Sequence, residues 1–299
     1  TRLQGVHFSK MFEAAAPKVP IIEHPDVTRM LMEMKGCIEA ERMLSYYVAK
    51  QIDLSKLLDG EESREARSLV EILIPLVKAG NSDNAWRITA EAIQVHGGYG
   101  YCSDYPVEQL AVDCKVLSIV EGTNGIQSLD LVMRKILLNA DRKNYTVLKS
   151  RIEKTIENAS GIVDDVYCNR LLEGLQRMDS VLDAMKKHMD EGRYHTLLLN
   201  VDPVRRAFFD LMLVWMHLWC LTLARPKLSA CTDGAKGEAL TEILSKDAEA
   251  AFYYGKVCAS EFWLATEFPK YFGKMDGISL GETVDFLPGN AVFSSHPCA

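Results

Sequence analysis

Apolar residues recur every three or four positions along most of this chain, and that spacing limits its fold more than any other feature. It places the side chains on one face of an α-helix. Pro25 and Asp26 stand where the start of a helix favours them. No stretch keeps the two-residue alternation of a β-strand for long, so the sequence predicts an all-α fold built as helical bundles. The first apolar series consists of Val27, Met30, Leu31, Met34, Ile38, Leu44 and Val48.

Breaks in the apolar pattern divide the predicted helices into two blocks. We predict one helical domain over residues 1–140 and an additional helical domain over residues 141–299. A sequence of 299 residues is long enough for one large core or two medium ones. The helices are predicted at residues 25–58, 61–77, 84–95, 107–119, 126–138, 147–157, 162–189, 204–223 and 240–264.

Helix start and stop residues in the second block predict where its longest apolar helix begins and ends. Asp202-Pro203 favours a helix start, and Pro226 and Gly234 favour a break after that helix. Its most apolar stretch, Leu211–Ala224, has 14 residues, which is too short to span a bilayer and predicts a buried core helix. We therefore expect no membrane span. In the tail, Phe286, Leu287, Val292 and Phe293 are the expected docking anchors.

Composition excludes several classes of function. The formal net charge is −7 with no basic stripe, which argues against nucleic-acid binding. The eight cysteines are scattered with no C-x-x-C pair, and the seven histidines are equally dispersed, so no metal site is predicted. Scattered thiols favour a reducing compartment.

The first glycine-rich segment is residues 94–101, Gln-Val-His-Gly-Gly-Tyr-Gly-Tyr. Paired glycines let a ligand or another backbone approach closely because no side chain intervenes. Two glycines alone favour the plainer alternative, a helix stop followed by a turn. Gln94 and the two tyrosines are what favour a ligand-binding loop.

The second glycine-rich segment places a single carboxylate, Glu121, between an apolar run and the turn Gly122-Thr123-Asn124-Gly125. If the preceding residues pack into the interior, Glu121 is partly desolvated, which makes it a better proton acceptor. The glycines leave backbone N–H groups available for a carbonyl oxygen or a phosphate. The plainer alternative is a solvent-exposed glutamate that caps the next helix.

These two segments, in this order, resemble the acyl-CoA dehydrogenase family. Gln94-x-x-Gly97-Gly98-x-Gly100-Tyr101, followed by Asp104-Tyr105-Pro106-Val107-Glu108-x-Leu110, is similar to the family's flavin-contacting loop and the helix after it. Residues 119–127, Ile-Val-Glu-Gly-Thr-Asn-Gly-Ile-Gln, resemble its catalytic-base motif. Residues 124–131 and the extra carboxy-terminal block are similar to the subgroup that includes methylmercaptopropionyl-CoA dehydrogenases.

The resemblance implies that FAD is the cofactor and an acyl-CoA the substrate, oxidised to the trans-2-enoyl-CoA. Glu121 would be the base that removes the α-proton, and its backbone N–H would hold the thioester carbonyl. The implied substrate-binding residues are Val120, Glu121 and Gly122. The implied FAD-binding residues are Thr123 and Gly125 for the flavin of the same subunit, and Gln94, Gly97 and Gly98 for the flavin of a neighbour.

Those shared flavin contacts imply a homo-oligomer, a dimer or a dimer of dimers, with an electron-transfer flavoprotein as electron acceptor. The implied location is the bacterial cytoplasm or the mitochondrial matrix. Val120 stands where many relatives have an aromatic residue. Arg2-Leu3-Gln4-Gly5 resembles the start of the family's arginine-containing flavin motif without its usual phenylalanine, and makes Arg2 a candidate pyrophosphate ligand.

The family's helical amino-terminal domain and central β-barrel domain are not in this sequence, so another segment or chain would have to supply them. An alternative function is therefore a non-catalytic structural or assembly subunit of a larger complex. Bound FAD would discriminate between the two hypotheses.

Overall fold

The computed structural model describes residues 2–281. A two-stranded antiparallel hairpin, β1 (Leu3–Val6) and β2 (Lys18–Pro20), precedes the helices. Its last residues lead into α1 at Pro25, where His24 Nε2 lies 2.6 Å from the Gln4 carbonyl oxygen and fixes the hairpin on the helix. The four apolar tail residues predicted as anchors (Phe286, Leu287, Val292 and Phe293) lie outside the described residues.

Helices account for nearly all of the rest, as the apolar spacing predicts. The first block contains α1 (Pro25–Leu57), α2 (Gly60–His96), a 3₁₀ turn (Gly97–Tyr101), α3 (Pro106–Val116) and α4 (Asn124–Leu129), which continues as a π-helix (Asp130–Leu137). The second contains α5 (Lys143–Ala159), α6 (Asp165–Asp190), α7 (Tyr194–Thr232), α8 (Gly237–Lys246), α9 (Ala248–Phe262), a π-helical turn (Trp263–Glu267) and α10 (Phe268–Gly281).

Two predicted helix boundaries are wrong, one within α2 and one at the start of α7. The helices predicted at 61–77 and 84–95 are one helix, α2. Helix α7 begins at Tyr194 and runs through Pro203. Pro203 deprives only the carbonyl of Leu199 of its helical donor, and Leu199 is an exposed residue that water can reach. Leu197 and Val201 are buried on the core face, so packing holds the helix together across the proline.

Two further boundaries differ at the end of the second block. Pro226 does not stop α7, which ends at Thr232 because Asp233 adopts a left-handed φ of 47°. The helix predicted at 240–264 is divided at Asp247. That carboxylate accepts hydrogen bonds from the backbone N–H groups of Glu249 and Ala250 at 2.8 and 3.1 Å, so it caps α9 and starts a new helix.

Helix α7 is the centre of the protein. It packs against helices of both blocks, and one cluster of buried apolar side chains runs through α1, α2, α5, α6, α7 and α10. By length and composition α7 could cross a membrane, but 78% of its most apolar window is buried within the protein, as expected for a core helix. The division into domains at residue 140 stays a prediction.

Helices α2 and α7 approach closely at Gly80. A Cβ atom at that position would lie 2.3 Å from the ring of Phe209 on α7, closer than any real contact. Phe209 is itself buried, so the ring has no room to withdraw. The glycine therefore sets the distance between the two blocks at this point.

A buried carboxyl group between α1 and α2 makes stability depend on pH. Asn84 donates to Glu41 Oε1 at 2.8 Å, and the Cys37 thiol lies 3.5 Å from it. Burial raises the pKa of Glu41 to about 7, although these two bonds and nearby Arg87 act to lower it. The folded form thus holds its proton more tightly than the unfolded chain, whose carboxyl titrates near its ordinary pKa of about 4.3. Stability therefore falls as pH rises between those two values.

We expect Glu41→Gln to remove this loss. The free energy of unfolding at pH 8 should rise by roughly 1–3 kcal/mol, with a smaller gain at pH 5. Urea titrations at both pH values measure the difference, with the exposed Glu173→Gln as control. An equal gain at both pH values would contradict the assignment.

Candidate functional site

The segment between α3 and α4 is a tight turn with two residues in the left-handed region. Glu121 has φ 54° and Gly122 has φ 84°. For glycine this conformation costs nothing, whereas for glutamate it is uncommon and strained. Glu121 is itself an exposed residue. Strained residues of this kind cluster at functional positions, although Asp141, Arg142 and Asp233 share the conformation in this chain.

Asn124 fixes this turn to the middle of α2. Its side-chain amide donates to Ala79 O, Ser82 Oγ and Asp83 Oδ1 at 3.2, 2.9 and 2.8 Å. Its backbone N–H donates to Ser118 O at 3.1 Å and closes the loop. Asn124 is buried in an otherwise exposed segment, so the turn is anchored although Glu121 is solvent-accessible.

Further bonds define the two ends of the turn. Lys78 Nζ donates to Gly122 O at 2.6 Å. The Thr123 hydroxyl accepts from the Ile126 N–H at 3.3 Å and caps α4. The backbone N–H groups of Glu121, Gly122 and Thr123 have no acceptor within residues 2–281. Thr123, not Glu121, is the helix cap, so the alternative of a capping glutamate is wrong.

The condition under which Glu121 would be desolvated, packing of the residues before it, is not met within residues 2–281. Ile119 and Val120 are 57% and 43% exposed, and Val116 and Leu117 are exposed as well. The physical reason is that α2 covers only one side of the turn. The other side, together with the outward face of α3, is an apolar surface open to whatever packs there. Apolar patches of this kind mark interaction or ligand-binding surfaces.

We expect Asn124→Ala to loosen the turn and destabilise the protein. The substitution leaves Asp83 and Ser82 without their amide partner and should cost roughly 1–3 kcal/mol in the free energy of unfolding. Asn158→Ala, at an exposed position on α5, should change it by less than about 0.5 kcal/mol. Chemical denaturation of both variants measures this, and equal effects would contradict the anchoring role.

The first glycine-rich segment ends α2, as the plainer interpretation predicts. Gly97 has φ 67°, and its N–H donates to Gln94 O. Arg2 lies directly against it: Nη1 donates to His96 O at 2.7 Å and Nη2 to Val95 O at 3.3 Å. Gln94 and Gly98 are exposed. The structure therefore brings together four of the predicted cofactor-binding residues, Arg2, Gln94, Gly97 and Gly98.

The two predicted clusters lie against different parts of α2. The turn of Glu121, with Val120, Gly122, Thr123 and Gly125, is anchored at residues 79–83, whereas Arg2 contacts residues 95–96. Twelve or more helical residues between these anchors correspond to roughly 20 Å along the axis. The clusters therefore do not line one compact pocket within a single chain.

Sequence reasoning missed Asn124, Asp83, Ser128 and Arg205 as parts of the site. Arg205 is 1% exposed and pairs with Asp83 and Asp202 at 2.7 Å each. Asp83 and Arg205 are 122 positions apart, so no local pattern could indicate their contact.

A cleft of about 350 Å³ between α2, α7 and α10 is lined by Asp83 and Arg205 of this network but by no residue of either cluster. Several of its charged side chains are paired with one another. Lys274 pairs with Asp210, Lys270 with Glu267, and Arg205 with Asp83. None of the predicted site residues lines this cleft, so the exposed turn is the better candidate site.

Both helical blocks match known protein families. Residues 11–137 match the family described as acyl-CoA dehydrogenase, C-terminal domain, and residues 148–284 match the family described as acetyl-CoA dehydrogenase C-terminal like. The chain belongs to the acyl-CoA dehydrogenase family. The second match supports the subgroup of acyl-CoA dehydrogenases that carries an additional helical region after the shared one.

Individual acyl-CoA dehydrogenases are similar over one or both blocks. A butyryl-CoA dehydrogenase of Syntrophomonas wolfei subsp. wolfei is 31% identical over 280 residues, which cover 93% of this chain and 43% of that protein. A 3-methylmercaptopropionyl-CoA dehydrogenase of Ruegeria pomeroyi is 39% identical over 129 residues, 43% of this chain and 22% of that protein. The chain thus spans less than half the length of these relatives.

A solved acyl-CoA dehydrogenase from Bacillus anthracis, in complex with FAD, shares the fold. Its TM-score is 0.51 at 17% identity, over 89% of this chain and 47% of that chain. The helical arrangement is therefore that of the carboxy-terminal part of acyl-CoA dehydrogenases.

Proposed function

We propose that this chain is the catalytic, carboxy-terminal part of an FAD-dependent enzyme that oxidises an acyl-CoA thioester to the trans-2-enoyl-CoA, with Glu121 as the base. The observation that carries the proposal is the conformation of Glu121. Glu121 has a left-handed φ of 54° in an anchored, exposed turn, and the backbone N–H groups of Glu121, Gly122 and Thr123 have no acceptor within residues 2–281. An exposed carboxylate in the same turn as backbone N–H groups that are free to donate suits proton abstraction next to a carbonyl.

The chain's own residues have two tasks in this reaction. The Glu121 carboxylate accepts the α-proton of the thioester. Its backbone N–H donates to the thioester carbonyl oxygen, which stabilises the negative charge that develops there as the proton leaves. Asn124 and Lys78 fix to α2 the turn that carries both groups of Glu121.

The residues around the turn fit a flavin. Gly122 and Gly125 expose backbone without a side chain, and Thr123 is exposed beside them. When bound, FAD supplies the acceptor for the hydride from the β-carbon, so the substrate loses one proton to Glu121 and one hydride to the cofactor. Thr123 and Gly125 would contact this flavin, and Val120 and Gly122 would border the acyl chain.

The second cluster would serve the flavin of a neighbouring copy. Arg2, Gln94, Gly97 and Gly98 lie roughly 20 Å from the Glu121 turn along α2, too far to border the same reacting carbon. Arg2 reaches the end of α2 with its guanidinium close to Gly97, where it could pair with a phosphate. This arrangement supports a homo-oligomer, a dimer or a dimer of dimers.

The exposed apolar surface beside Ile119 and Val120, and the short β-hairpin, are the expected contacts for the rest of the enzyme. A two-stranded hairpin is marginal by itself, and Leu3, Phe8 and Phe12 on it are exposed. Further strands and helices packed there would desolvate Glu121. Electrons would leave to an electron-transfer flavoprotein, in the bacterial cytoplasm or the mitochondrial matrix.

The test is product analysis with the native protein, isolated together with the part that supplies the remaining domains. Incubation with short- to long-chain acyl-CoAs and an artificial electron acceptor should yield enoyl-CoA lacking two hydrogens, detected by mass. Released FAD should be found with the protein. Absence of both flavin and product would overturn the proposal and favour the non-catalytic structural subunit.

A further inference from the structure

Arg205 is a buried cation on α7, in the second block, whose guanidinium faces the Glu121 turn. It is 1% exposed. Its Nη2 donates to Asp83 Oδ2 and to Asp202 Oδ1 at 2.7 Å each, and its Nε donates to Ser128 Oγ at 3.2 Å. Three acceptors from α2, α4 and α7 thus converge on one side chain.

Two of those acceptors bind the turn directly. The second oxygen of Asp83, Oδ1, accepts from the Asn124 side-chain amide at 2.8 Å. Ser128 Oγ lies 2.8 Å from both the Asn124 carbonyl oxygen and Asp202 Oδ1, and its single proton serves one of them at a time. Arg205 is therefore linked to Asn124 through Asp83 and, when Ser128 donates to the Asn124 carbonyl, through Ser128 as well. Asn124 is three positions from Glu121 and fixes the turn to α2.

The charges of this network balance. Arg206 donates to Asp202 Oδ2 at 2.7 Å, so two arginines face two aspartates. Burial alone would raise the pKa of Asp202, but hydrogen bonds from Arg206, Arg205 and Ser128 lower it to about 2. Asp202 is therefore ionised at neutral pH beside the two arginines.

We propose that Arg205 is a positioning residue for the candidate base, and that the second block thereby sets the geometry of a site built by the first. This inference rests on the proposed function of Glu121. Arg205 orients Asp83 and Ser128, these orient Asn124, and Asn124 sets the turn on which Glu121 lies. Arginine suits the task because its planar fork can donate in several fixed directions at once, whereas lysine is a point donor.

A purely structural role would look similar in a stability measurement, so the test needs a matched control. Arg225 lies on the same helix and also holds two carboxylates: Nη2 donates to Glu261 at 2.7 Å and to Asp164 at 3.2 Å. It contacts nothing in the turn. Arg225→Lys therefore removes a comparable arginine fork from α7 without touching the proposed relay.

The first measurement is hydrogen–deuterium exchange of residues 118–128 in the native protein. The N–H groups of Asn124 and Gln127, which donate to Ser118 O and Thr123 O, are the reporters. Arg205→Lys should speed their exchange roughly tenfold, as loss of one charge-assisted bond predicts, while Arg225→Lys should leave it unchanged. Equal exchange in both variants would overturn the positioning role, whatever Glu121 does.

The second measurement is anaerobic flavin reduction by acyl-CoA. Arg205→Lys should retain FAD and slow the reduction about 10- to 100-fold at saturating substrate, because small displacements of a catalytic group have effects of that size. Arg225→Lys should stay within about twofold. A normal rate in Arg205→Lys would overturn the inference. If the unsubstituted protein shows no flavin reduction at all, the proposed function fails, and the exchange experiment alone decides on Arg205.

Discussion

Glu121→Gln is expected to leave FAD bound and to slow its reduction by acyl-CoA at least about 100-fold, the usual contribution of a general base. The amide keeps the size of the side chain and the backbone N–H but cannot accept the α-proton. The positive φ of residue 121 is unchanged, so the turn should keep its conformation. Stopped-flow absorbance of the flavin under anaerobic conditions measures the rate.

The control is Glu173→Gln, an exposed carboxylate on α6, which should reduce flavin at the normal rate. A Glu121→Gln protein with unchanged reduction would show that another group removes the proton. Loss of FAD from that variant would instead show that residue 121 holds the cofactor.

Trp215→Ala should have the largest effect on stability. Trp215 is 1% exposed, its indole N–H donates to Thr155 Oγ1 on α5 at 2.8 Å, and its ring meets Tyr47 on α1 edge to face at 5.2 Å. Truncation leaves a cavity where α1, α5 and α7 meet and an unpaired hydroxyl. We expect a loss of roughly 3–5 kcal/mol in the free energy of unfolding.

Trp86→Ala is the matched control, because Trp86 is 44% exposed on α2 and should cost less than about 1 kcal/mol. Thermal unfolding followed by far-UV circular dichroism compares the two. Since Trp215 packs against helices of both blocks, its loss should lower the melting temperature of the whole signal. A variant in which only part of the helical signal melts early would show that the two blocks unfold separately.

The helical fold and the glycine-rich turn of the candidate site could be predicted from the sequence, because both depend on short-range patterns. Three- and four-residue apolar spacing is enough to identify α1, α5 and α6, and the Glu121 turn stands out as glycine-rich punctuation. Pro203 led to a predicted helix start at residue 204, whereas α7 begins at Tyr194. The burial of Leu197 and Val201 stabilises the helix by more than the one hydrogen bond lost at the proline. Local propensity cannot weigh that packing.

The surroundings of Glu121 could not be predicted for two different reasons. The apolar residues before it suggest burial, yet Ile119 and Val120 are exposed, because α2 covers only one side of the turn. The Asp83–Arg205 contact joins residues 122 positions apart, and neither residue lies in a motif. Long-range polar networks leave no periodic signal.

The most direct test of the proposed function is the anaerobic visible spectrum of the native protein before and after addition of acyl-CoAs of increasing chain length. The account predicts a flavin band that bleaches with at least one of them and returns when an electron acceptor is added. A protein without a flavin band, or a flavin that no acyl-CoA bleaches, would contradict it and leave Glu121 without a role as a base.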